Sequence, residues 1–473
     1  MSIIAIILSL GLLIYLAYRG WSVIIIAPLL AILAAVLSGL FGDDPIHPMA
    51  VYTQEFMPSL GGYVTSNFPM FLLGAIFGKV MDDTGSAKAI AEWFVKHLGT
   101  GKEIWTVVLA CGVITYGGVS LFVAAFAIYP IGAALYRESN LPKRLLPPAI
   151  ALGAFTFTMT AIPGTPQIQN TIPMKYFGTD TFAAPILGII AALIMFFGGC
   201  LWLKTRERAA VANGEGYGVH ANDHEFKGDD SNLPNAAAAF IPPIAVIIAN
   251  IVLTKVIFTE GFYDGAYLET LSTDIHSTYK DTTLAGVRGS WSVYLALIIG
   301  IILTILFNTK RFPNGIWETL KDGVSGSFLA IMNTATEVGY GNVIKTLSGF
   351  AVISAFLTEV ITNPLIGGTV AASGLAGITG SASGGMSIAL EAFGETFKQR
   401  CIDKGIDPAV LHRCVSVGSG GFDTLPHNGA VITLLNVTGM THKESYVNIG
   451  MCTVVIPTIA AIVIIALGSM GIC

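Results

Sequence analysis

Charged residues are scarce in this sequence. Asp, Glu, Lys and Arg make up only 12% of its 473 residues, about half of the share found in soluble chains. Hydrophobic residues make up 53%, and the mean hydropathy is +0.71. Apolar runs of about 18 residues or more recur, and each is long enough to cross a bilayer as a helix. The composition therefore predicts an all-α polytopic membrane protein and excludes a soluble globular domain.

The motifs of several other protein classes are also missing. No cluster of Lys and Arg indicates a nucleic-acid partner, and the net charge is only −5. The six cysteines show no metal-ligand spacing, although Cys401 and Cys414 are close enough in sequence for a disulfide to be considered. Neither HExxH nor GxSxG occurs, and no nucleotide-binding loop is present. We therefore predict a protein that is not an enzyme and holds no metal or cofactor.

Two stretches with the same plan organise the chain. The first covers residues 146–178 and is interrupted at 160–166, whereas the second covers 411–447 and is interrupted at 420–429. Pro163 and Pro426 are 263 positions apart, and the same offset relates Phe77-Gly78 to Tyr340-Gly341. Interrupted membrane helices at matching places in two halves are typical of transporter binding sites.

Each half also contains an apolar run with a glycine-rich centre, broken at residues 116–118 in the first half and at 380–385 in the second. A re-entrant hairpin explains such a run, because irregular backbone at membrane depth must face protein or a cavity. The first repeat is predicted over 1–205, with a hairpin at about 104–135 and a broken helix at about 146–176. A polar linker covers 206–234. The second, inverted repeat is predicted over 235–473, with a hairpin at about 365–397 and a broken helix at about 406–438.

The third span of each half is predicted over residues 69–81 and 316–343. An amphipathic surface helix is expected after each of them, at 84–97 and 346–360. Basic residues in short loops predict the orientation, and most of them fall on one side, which we assign to the cytoplasm. Three basic residues fall on the outer side against this rule, namely Lys398, Arg400 and Lys404.

The chain resembles the gluconate permease family, the gluconate:proton symporters. The resemblance is carried by residues 72–102, the first hairpin, Pro163-Gly164-Thr165-Pro166, Gly380-Ser381-Ala382 and Val417-Gly418-Ser419-Gly420. It implies two inverted repeats with paired hairpins, an elevator-type scaffold with a transport domain, a homodimer, and a location in the inner (plasma) membrane. It also implies a small carboxylate as substrate and a proton as coupling ion.

The sequence departs from that family where the substrate is expected. Gly117 follows Tyr116 where the family has Glu, and Ile162 precedes Pro163 where the family has His. The second interruption carries Asp423-Thr424-Leu425-Pro426-His427-Asn428 in place of a Ser-His-Val-Asn-Asp type run. These differences favour a small carboxylate other than gluconate itself, for example a hydroxy acid such as 3-hydroxybutyrate.

Four interruptions are expected to meet near the membrane midplane. Broken helices expose N–H groups that suit a carboxylate and carbonyl groups that suit a cation. An alternative for each polar side chain is that it satisfies neighbouring backbone. The predicted substrate-binding residues are Tyr116, Gly117, Gly118, Ser120, Thr165, Gln167, Asn170, Ser381, Ser383, Thr424 and Asn428.

Asp423 and His427 are the predicted coupling-ion residues, because ionisable groups at membrane depth are costly and usually functional. Lys175, Glu337 and Glu391 are further candidates, and His412 is expected at the surface. Sodium, held by carbonyl and hydroxyl oxygens with Asp423 as its counter-charge, is the alternative coupling ion.

The predicted function is a symporter that imports a small organic anion together with protons. A sodium-coupled carboxylate symporter and a cation:proton antiporter are the alternatives, and an antiporter needs no organic solute. A channel would differ from all three by carrying currents that do not saturate.

Overall fold

The computed structural model describes residues 2–19, 21–41, 44, 47–98, 101–119, 121–220, 233–259, 284–356, 361–426 and 428–473. These residues form helices and contain no strand. The helices of the first half are α1 (Ser2–Tyr18), α2 (Val23–Phe41), α3 (Pro48–Asp83), α4 (Ser86–Leu98), α5 (Glu103–Tyr116), α6 (Leu121–Glu138), α7 (Leu146–Phe155), α8 (Phe157–Thr160), α9 (Ile168–Phe177) and α10 (Pro185–Ala212). Those of the second half are α11 (Ala236–Ile257), α12 (Leu284–Phe307), α13 (Ile316–Thr346), α14 (Phe350–Ala355), α15 (Pro364–Thr379), α16 (Ala382–Asp403), α17 (Pro408–Phe422), α18 (Gly429–Thr438) and α19 (His442–Ser469).

Six of the described helices are long and apolar enough to cross a membrane. They cover Val23–Leu40, Pro48–Asp83, Pro185–Ala212, Ala236–Ile257, Val287–Phe307 and His442–Ser469. A helix rises about 1.5 Å per residue, so about 20 residues span the hydrocarbon core. The prediction of an all-α polytopic membrane protein is confirmed.

Two antiparallel helix pairs occupy the segments where hairpins are expected. We call α5 with α6 the first hairpin and α15 with α16 the second hairpin. In the first, a Cβ added at Gly132 would lie 3.4 Å from Val107 Cγ2, which places the two arms side by side. In the second, the arms approach so closely that a Cβ at Gly385 would collide with the backbone of Ala376.

The two hairpins open to opposite sides of the molecule. Lys204, near the end of α10, donates to the Gly101 carbonyl at the base of the first hairpin. Asn363, at the base of the second hairpin, donates to Ser469 at the end of α19. The end of α19 packs against the start of α10, because a Cβ at Gly468 would lie 3.4 Å from Leu187. The bases of the two hairpins therefore lie at opposite ends of α10.

Both broken helices are interrupted where proline and glycine predict it. The first break, residues 161–167, separates α8 from α9, and the second break, residues 423–428, separates α17 from α18. Gly164 has a φ of +85°, which favours glycine. A further interruption at Thr156 was not expected, and there φ is −119° and ψ is −111°. The Thr156 hydroxyl donates to the Leu152 carbonyl at 2.6 Å, a bond that competes with regular helix geometry.

The longest packing interface joins α3 to α13. Glycines allow close approach at both ends: a Cβ at Gly323 would lie 2.8 Å from Ile76 Cα, and one at Gly339 would lie 3.1 Å from Phe56. These contacts make the two helices antiparallel. Their last residues, Asp83 and Thr346, are 263 positions apart, the offset that the sequence also shows between the prolines.

Some predicted helix bounds differ from the structure. The prediction of a span over 69–81 is too short, because α3 continues as helix through the polar residues before Pro69. The first surface helix is present as α4. Only α14 represents the second one among the described residues, and residues 357–360 lie outside them. The disulfide considered between Cys401 and Cys414 is not formed, because both residues are buried free thiols. Cys111, Cys200 and Cys452 are also buried and free, and Cys473 is free and partly exposed.

Candidate functional site

The two broken helices cross beside the first break. A Cβ at Gly420 of α17 would lie 2.6 Å from the Thr160 Cγ2 at the end of α8. Ser416, one turn earlier, donates to the Thr160 carbonyl at 2.9 Å or to the Gln169 carbonyl at 3.0 Å. These carbonyls lie on either side of the break, so α17 provides a partner for backbone groups that the interrupted helix leaves free.

Arg413 on α17 is the cation at this crossing, and its side chain is fully buried. Its guanidinium donates to the carbonyls of Thr160, Thr181 and Ala183 and to Asn170 Oδ1, over distances of 2.8–3.4 Å. All of these acceptors are neutral. In the described part of the chain Arg413 forms no ion pair, and nearby Asp180 is already bound by Lys255 at 2.8 Å and Arg288 at 3.5 Å. The sequence analysis did not single out this residue.

His412 and Asn170 complete the network around Arg413. The prediction that His412 lies at the surface is wrong, because it is fully buried where α17 meets α9. Its Nδ1 lies 2.6 Å from Thr179 Oγ1 and its Nε2 lies 3.3 Å from Asn170 Oδ1. The Asn170 amide donates at 2.9 Å to the carbonyls of Thr165 and Thr181. The predicted substrate ligand Asn170 is therefore already held by protein groups.

The tip of the first hairpin is tied to the first break. Tyr116 donates its hydroxyl to the Pro163 carbonyl at 2.8 Å. Gln167 donates to the carbonyls of Thr115 at 2.7 Å and Val119 at 3.1 Å. Thr165 is buried, and its hydroxyl is without a hydrogen-bond partner among the described residues. Thr165 is thus a side chain of the first break with unused hydrogen-bonding capacity.

Two predicted site glycines at this tip pack against other helices. A Cβ at Gly117 would collide with Pro243 of α11. Gly118, with a φ of +101°, would place a Cβ 3.2 Å from Leu297 of α12 and Pro166. Both glycines permit close backbone approach and leave no space there for a substrate. Ser120, predicted beside them, lies outside the described residues.

The tip of the second hairpin is tied to the second break in a similar way. Asn428 accepts from the Val431 N–H at 2.9 Å, as the N-cap of α18, and donates to the Gly380 carbonyl at 2.6 Å. Ser381 accepts from the Gly384 N–H at 3.1 Å, and Ser383 lies 3.4 Å from Thr334 of α13. These bonds leave the two serine hydroxyls with remaining hydrogen-bonding capacity.

Thr424 and Asp423 begin the second break. The Thr424 hydroxyl donates to Gly421 O at 3.1 Å and lies 2.8 Å from Thr453 Oγ1. The Asp423 carboxylate faces the backbone N–H groups of Ala382 and Thr424. Its Oδ1 is buried and has no hydrogen-bond partner within the described residues. His427, predicted to act with Asp423, lies outside the part of the chain that the structure describes.

The site residues thus form two groups rather than one. The first contains Tyr116, Gly117, Gly118, Thr165, Gln167 and Asn170; the second contains Ser381, Ser383, Asp423, Thr424 and Asn428. Between described side chains, no hydrogen bond joins the two groups directly. Helix α17 connects them, because it contacts the first break through Gly420 and leads into the second break at Asp423.

A polar cavity of about 610 Å³ lies between α3 and α13 on one side and α9 and α16 on the other. Lys175, Lys345 and Glu391 line its mouth, and Tyr63 lines its inner part. Glu391 accepts from the Tyr176 hydroxyl at 2.9 Å, and its backbone carbonyl accepts from Lys345 at 3.0 Å. The cavity lies in the half of the molecule where the base of the second hairpin is found.

Six membrane-spanning candidates, two broken helices that cross beside the first break and a polar cavity between helices are typical of a multi-pass membrane transporter. The chain belongs to the GntP permease family, because the model described as GntP family permease matches residues 1–470. The predicted membership of the gluconate permease family is confirmed.

Curated relatives are named transporters or permeases, and solved structures show a similar fold. An uncharacterized transporter, YxjC of Bacillus subtilis strain 168, is 44% identical over 478 residues, which covers 99% of both chains. A gluconate permease of Bacillus licheniformis is 29% identical over 47% of this chain and 50% of its own length. The fold is similar to the YdaH transporter of Alcanivorax borkumensis, with a TM-score of 0.57 at 14% identity, covering 94% of this chain and 97% of that one. It is also similar to Neisseria gonorrhoeae MtrF, with a TM-score of 0.52 at 13% identity over 95% and 94% of the two chains.

Proposed function

We propose that this protein is a symporter that imports a small organic anion together with protons across the inner membrane. The substrate class is a hydroxy-monocarboxylate such as 3-hydroxybutyrate or a sugar acid such as gluconate. Membership of the family and the relatives named gluconate permease support a carboxylate. The observation that carries the choice of an anion is the cation beside the first break, Arg413, which forms no ion pair with any described residue.

Arg413 brings a positive charge into the interior, with neutral hydrogen-bond acceptors as its only described partners. Lys255 and Arg288 add two more positive charges nearby against the single charge of Asp180. Helix α9 also begins at this break, and the N-terminal end of a helix favours a negative group. A carboxylate bound near Thr165 would reduce this excess of positive charge.

The proposed architecture is a pair of inverted repeats. Its support is the 263-residue offset together with the antiparallel packing of α3 on α13 and the opposite openings of the two hairpins. In this proposal the scaffold consists of α1–α3 and α11–α13, whereas the hairpins and broken helices form a transport domain that moves as an elevator. The homodimer follows from the family resemblance.

Two other functions are favoured by the buried carboxyl groups of Asp423 and Glu337, which suit a cation. One is a symporter that uses sodium in place of protons, and the other is a cation:proton antiporter. Uptake of labelled gluconate and 3-hydroxybutyrate into proteoliposomes separates the three functions. We expect a pH gradient to drive accumulation without sodium, whereas an antiporter would take up neither anion.

Thr165→Ala tests the anion site in the same assay. Losing one hydrogen bond to a charged group costs about 1.5–3 kcal/mol, so we expect the apparent affinity to fall roughly tenfold to a hundredfold. Thr433→Ala is the matched control, because Thr433 is partly exposed on α18 and its hydroxyl donates to the Gly429 carbonyl. An unchanged affinity in Thr165→Ala would place the substrate elsewhere.

A further inference from the structure

We propose that Glu337 on α13 carries the coupling proton and that the tip of the second hairpin regulates its access to water. This inference rests on the proposed symport. Glu337 lies in the C-terminal half of the 31-residue helix α13 and is only 5% exposed. A carboxyl group at such depth is costly unless it has a function.

Glu337 faces the hairpin tip directly. Its Oε2 points at Gly384, where an added Cβ would collide with the carboxyl group. Ser381, the N-cap of α16, lies beside the same carboxyl group. The neighbouring Thr334 of α13 approaches Ser383. Helix α13 therefore contacts the hairpin tip through the Glu337 carboxyl group, and the missing side chain of Gly384 leaves space for that group.

Three buried polar atoms at this place have no hydrogen-bond partner among the residues that the structure describes: Glu337 Oε2, Tyr63 OH and Ser387 Oγ. Tyr63 on α3 lies next to Ser387 and near enough to Glu337 for the two groups to interact electrostatically. Buried polar atoms in proteins are nearly always hydrogen-bonded, so such a cluster indicates an occupant. Protonation of Oε2 would turn an acceptor into a donor next to two hydroxyl groups that can accept.

The charges around Glu337 also require a positive occupant. Helices α2 and α14 pack on α13 and contain no ionisable residue. Tyr63 faces Glu337 from α3, and Asp423 approaches the same hairpin tip at Ala382. Glu55 of α3, Lys345 of α13 and Glu391 of α16 lie along the cavity. Burying an ionised carboxylate without an adjacent cation has a high free-energy cost, and binding one proton removes that cost because it neutralises the group.

The cavity would supply the route for the proton. Tyr63 lines the cavity and lies near Glu337. A hydronium ion in the cavity would give up a proton, with one of its O–H bonds breaking, and that proton would form an O–H bond with Glu337 Oε2. When the hairpin tip moves relative to α13, the same O–H bond would break and the proton would pass to water on the other side. No electron transfer is involved.

Glu337→Gln is the first test, in proteoliposomes with labelled carboxylate. The amide resembles the protonated acid, so we expect exchange of internal for external carboxylate to continue while accumulation driven by a pH gradient is lost. Glu318→Gln, at the exposed start of α13, is the matched control and should accumulate like the wild type. The proposal would be overturned if Glu337→Gln accumulated as much carboxylate as the wild type. It would also be overturned if uptake required sodium and did not respond to the pH gradient.

Gly384→Ala is the second test, because its methyl group would displace the Glu337 carboxyl group without removing it. We expect the same loss of pH-driven accumulation, whereas Gly374→Ala, which has open space around its Cβ, should transport normally. Normal coupling in Gly384→Ala would contradict the proposed contact.

Infrared difference spectroscopy of the purified protein separates this inference from the proposed function, since it needs no substrate. A protonated carboxyl group gives a C=O band that changes with pH, and Glu337→Gln should lose one component of the wild-type difference spectrum, whereas other carboxyl groups such as Asp423 keep theirs. Wild-type protein that shows this component but transports no carboxylate would refute the symport alone. A difference spectrum of Glu337→Gln identical to that of the wild type would refute the role of Glu337.

Discussion

Arg413 shows what a single residue contributes that sequence alone did not reveal. It follows His412 near the start of a helix, a position where a basic residue usually reaches water. In the structure α17 instead crosses the first broken helix, and the guanidinium meets carbonyls from α8 and from the loop before α10. The signal that was available is an arginine inside an otherwise uncharged, small-residue helix.

Removing Arg413 should destabilise the protein and weaken substrate binding together. Arg413→Ala leaves several buried carbonyl groups without a donor, and each buried acceptor left unsatisfied costs about 1–3 kcal/mol. Arg413→Lys keeps the charge with fewer donors and should recover part of both losses. Thermal unfolding in detergent, with and without carboxylate, measures the two effects. Equal unfolding temperatures for Arg413→Ala and wild type would contradict the role of the network.

Asn428 combines two bonds that one substitution can separate. Asn428→Ser keeps a side chain that caps α18 but loses the donation to the Gly380 carbonyl, whereas Asn428→Ala loses both. Loss of an N-cap costs about 0.5–2 kcal/mol. We therefore expect Asn428→Ser to unfold near the wild-type temperature yet transport more slowly, because the hairpin tip is released from the break. Wild-type transport by both variants would show that the bond to Gly380 has no part in the cycle.

At the scale of the helices, proline and glycine made the interruptions predictable. Pro163, Gly164 and Pro426 remove donors or adopt backbone angles that end a helix. Thr156 was not predictable, because a threonine interrupts a helix only in a suitable tertiary setting. The polar start of α3 was also missed, since its glutamine, serine and asparagine residues face a cavity that only the assembled fold creates.

Movement of the second hairpin along α13 can be tested with a cross-link. A Cβ at Gly341 would lie 2.5 Å from Ile388 Cγ2, so cysteines at both positions come within reach of a disulfide. We expect oxidation of Gly341→Cys/Ile388→Cys to stop transport and a reductant to restore it. Each single-cysteine variant serves as a control, and its transport should not change when the oxidant is added. Transport by the cross-linked protein would show that α16 does not need to move relative to α13.

At the scale of the whole molecule, an ion pair joins the linker between the halves to the first half. Glu215 accepts two bonds from Arg144, at 2.6 and 2.7 Å, just before the first broken helix. The Arg144 guanidinium lowers the pKa of Glu215 below its ordinary value of 4.5. A lowered pKa means that the pair stabilises the folded protein above pH 4.5 and that this contribution is lost as the pH falls through the lowered value.

Acidification should therefore weaken the ion pair between Arg144 and Glu215. Glu215→Gln should remove this contribution to the pH dependence of protein stability. The pair is partly exposed, so the effect on unfolding is at most about 1 kcal/mol. Thermal unfolding of the two proteins at neutral pH and below pH 4.5 measures it, and Glu318→Gln controls for loss of an exposed carboxylate. A wild-type protein and a Glu215→Gln variant that respond identically to acid would contradict the assignment.

The overall organisation was more predictable than the site. Apolar runs, breaks and the 263-residue offset are properties of the sequence, and the structure has paired helices and interrupted helices in the segments that they mark. Which side chains remain available was not predictable, because Gln167, Asn170 and Asn428 turned out to bind backbone groups. Side-chain partners depend on helices that are distant in sequence, as α17 and the first break demonstrate.

The burial of the cysteines makes this chain suitable for spectroscopic probes. Five of the six thiols are buried, and only Cys473 is partly exposed. A Cys473→Ser background should react slowly with maleimides, so that one engineered surface cysteine on each side of α13 can carry a spin label or a fluorophore. Distances between such labels would follow the second hairpin through a transport cycle in a bilayer, with the native buried thiols left in place.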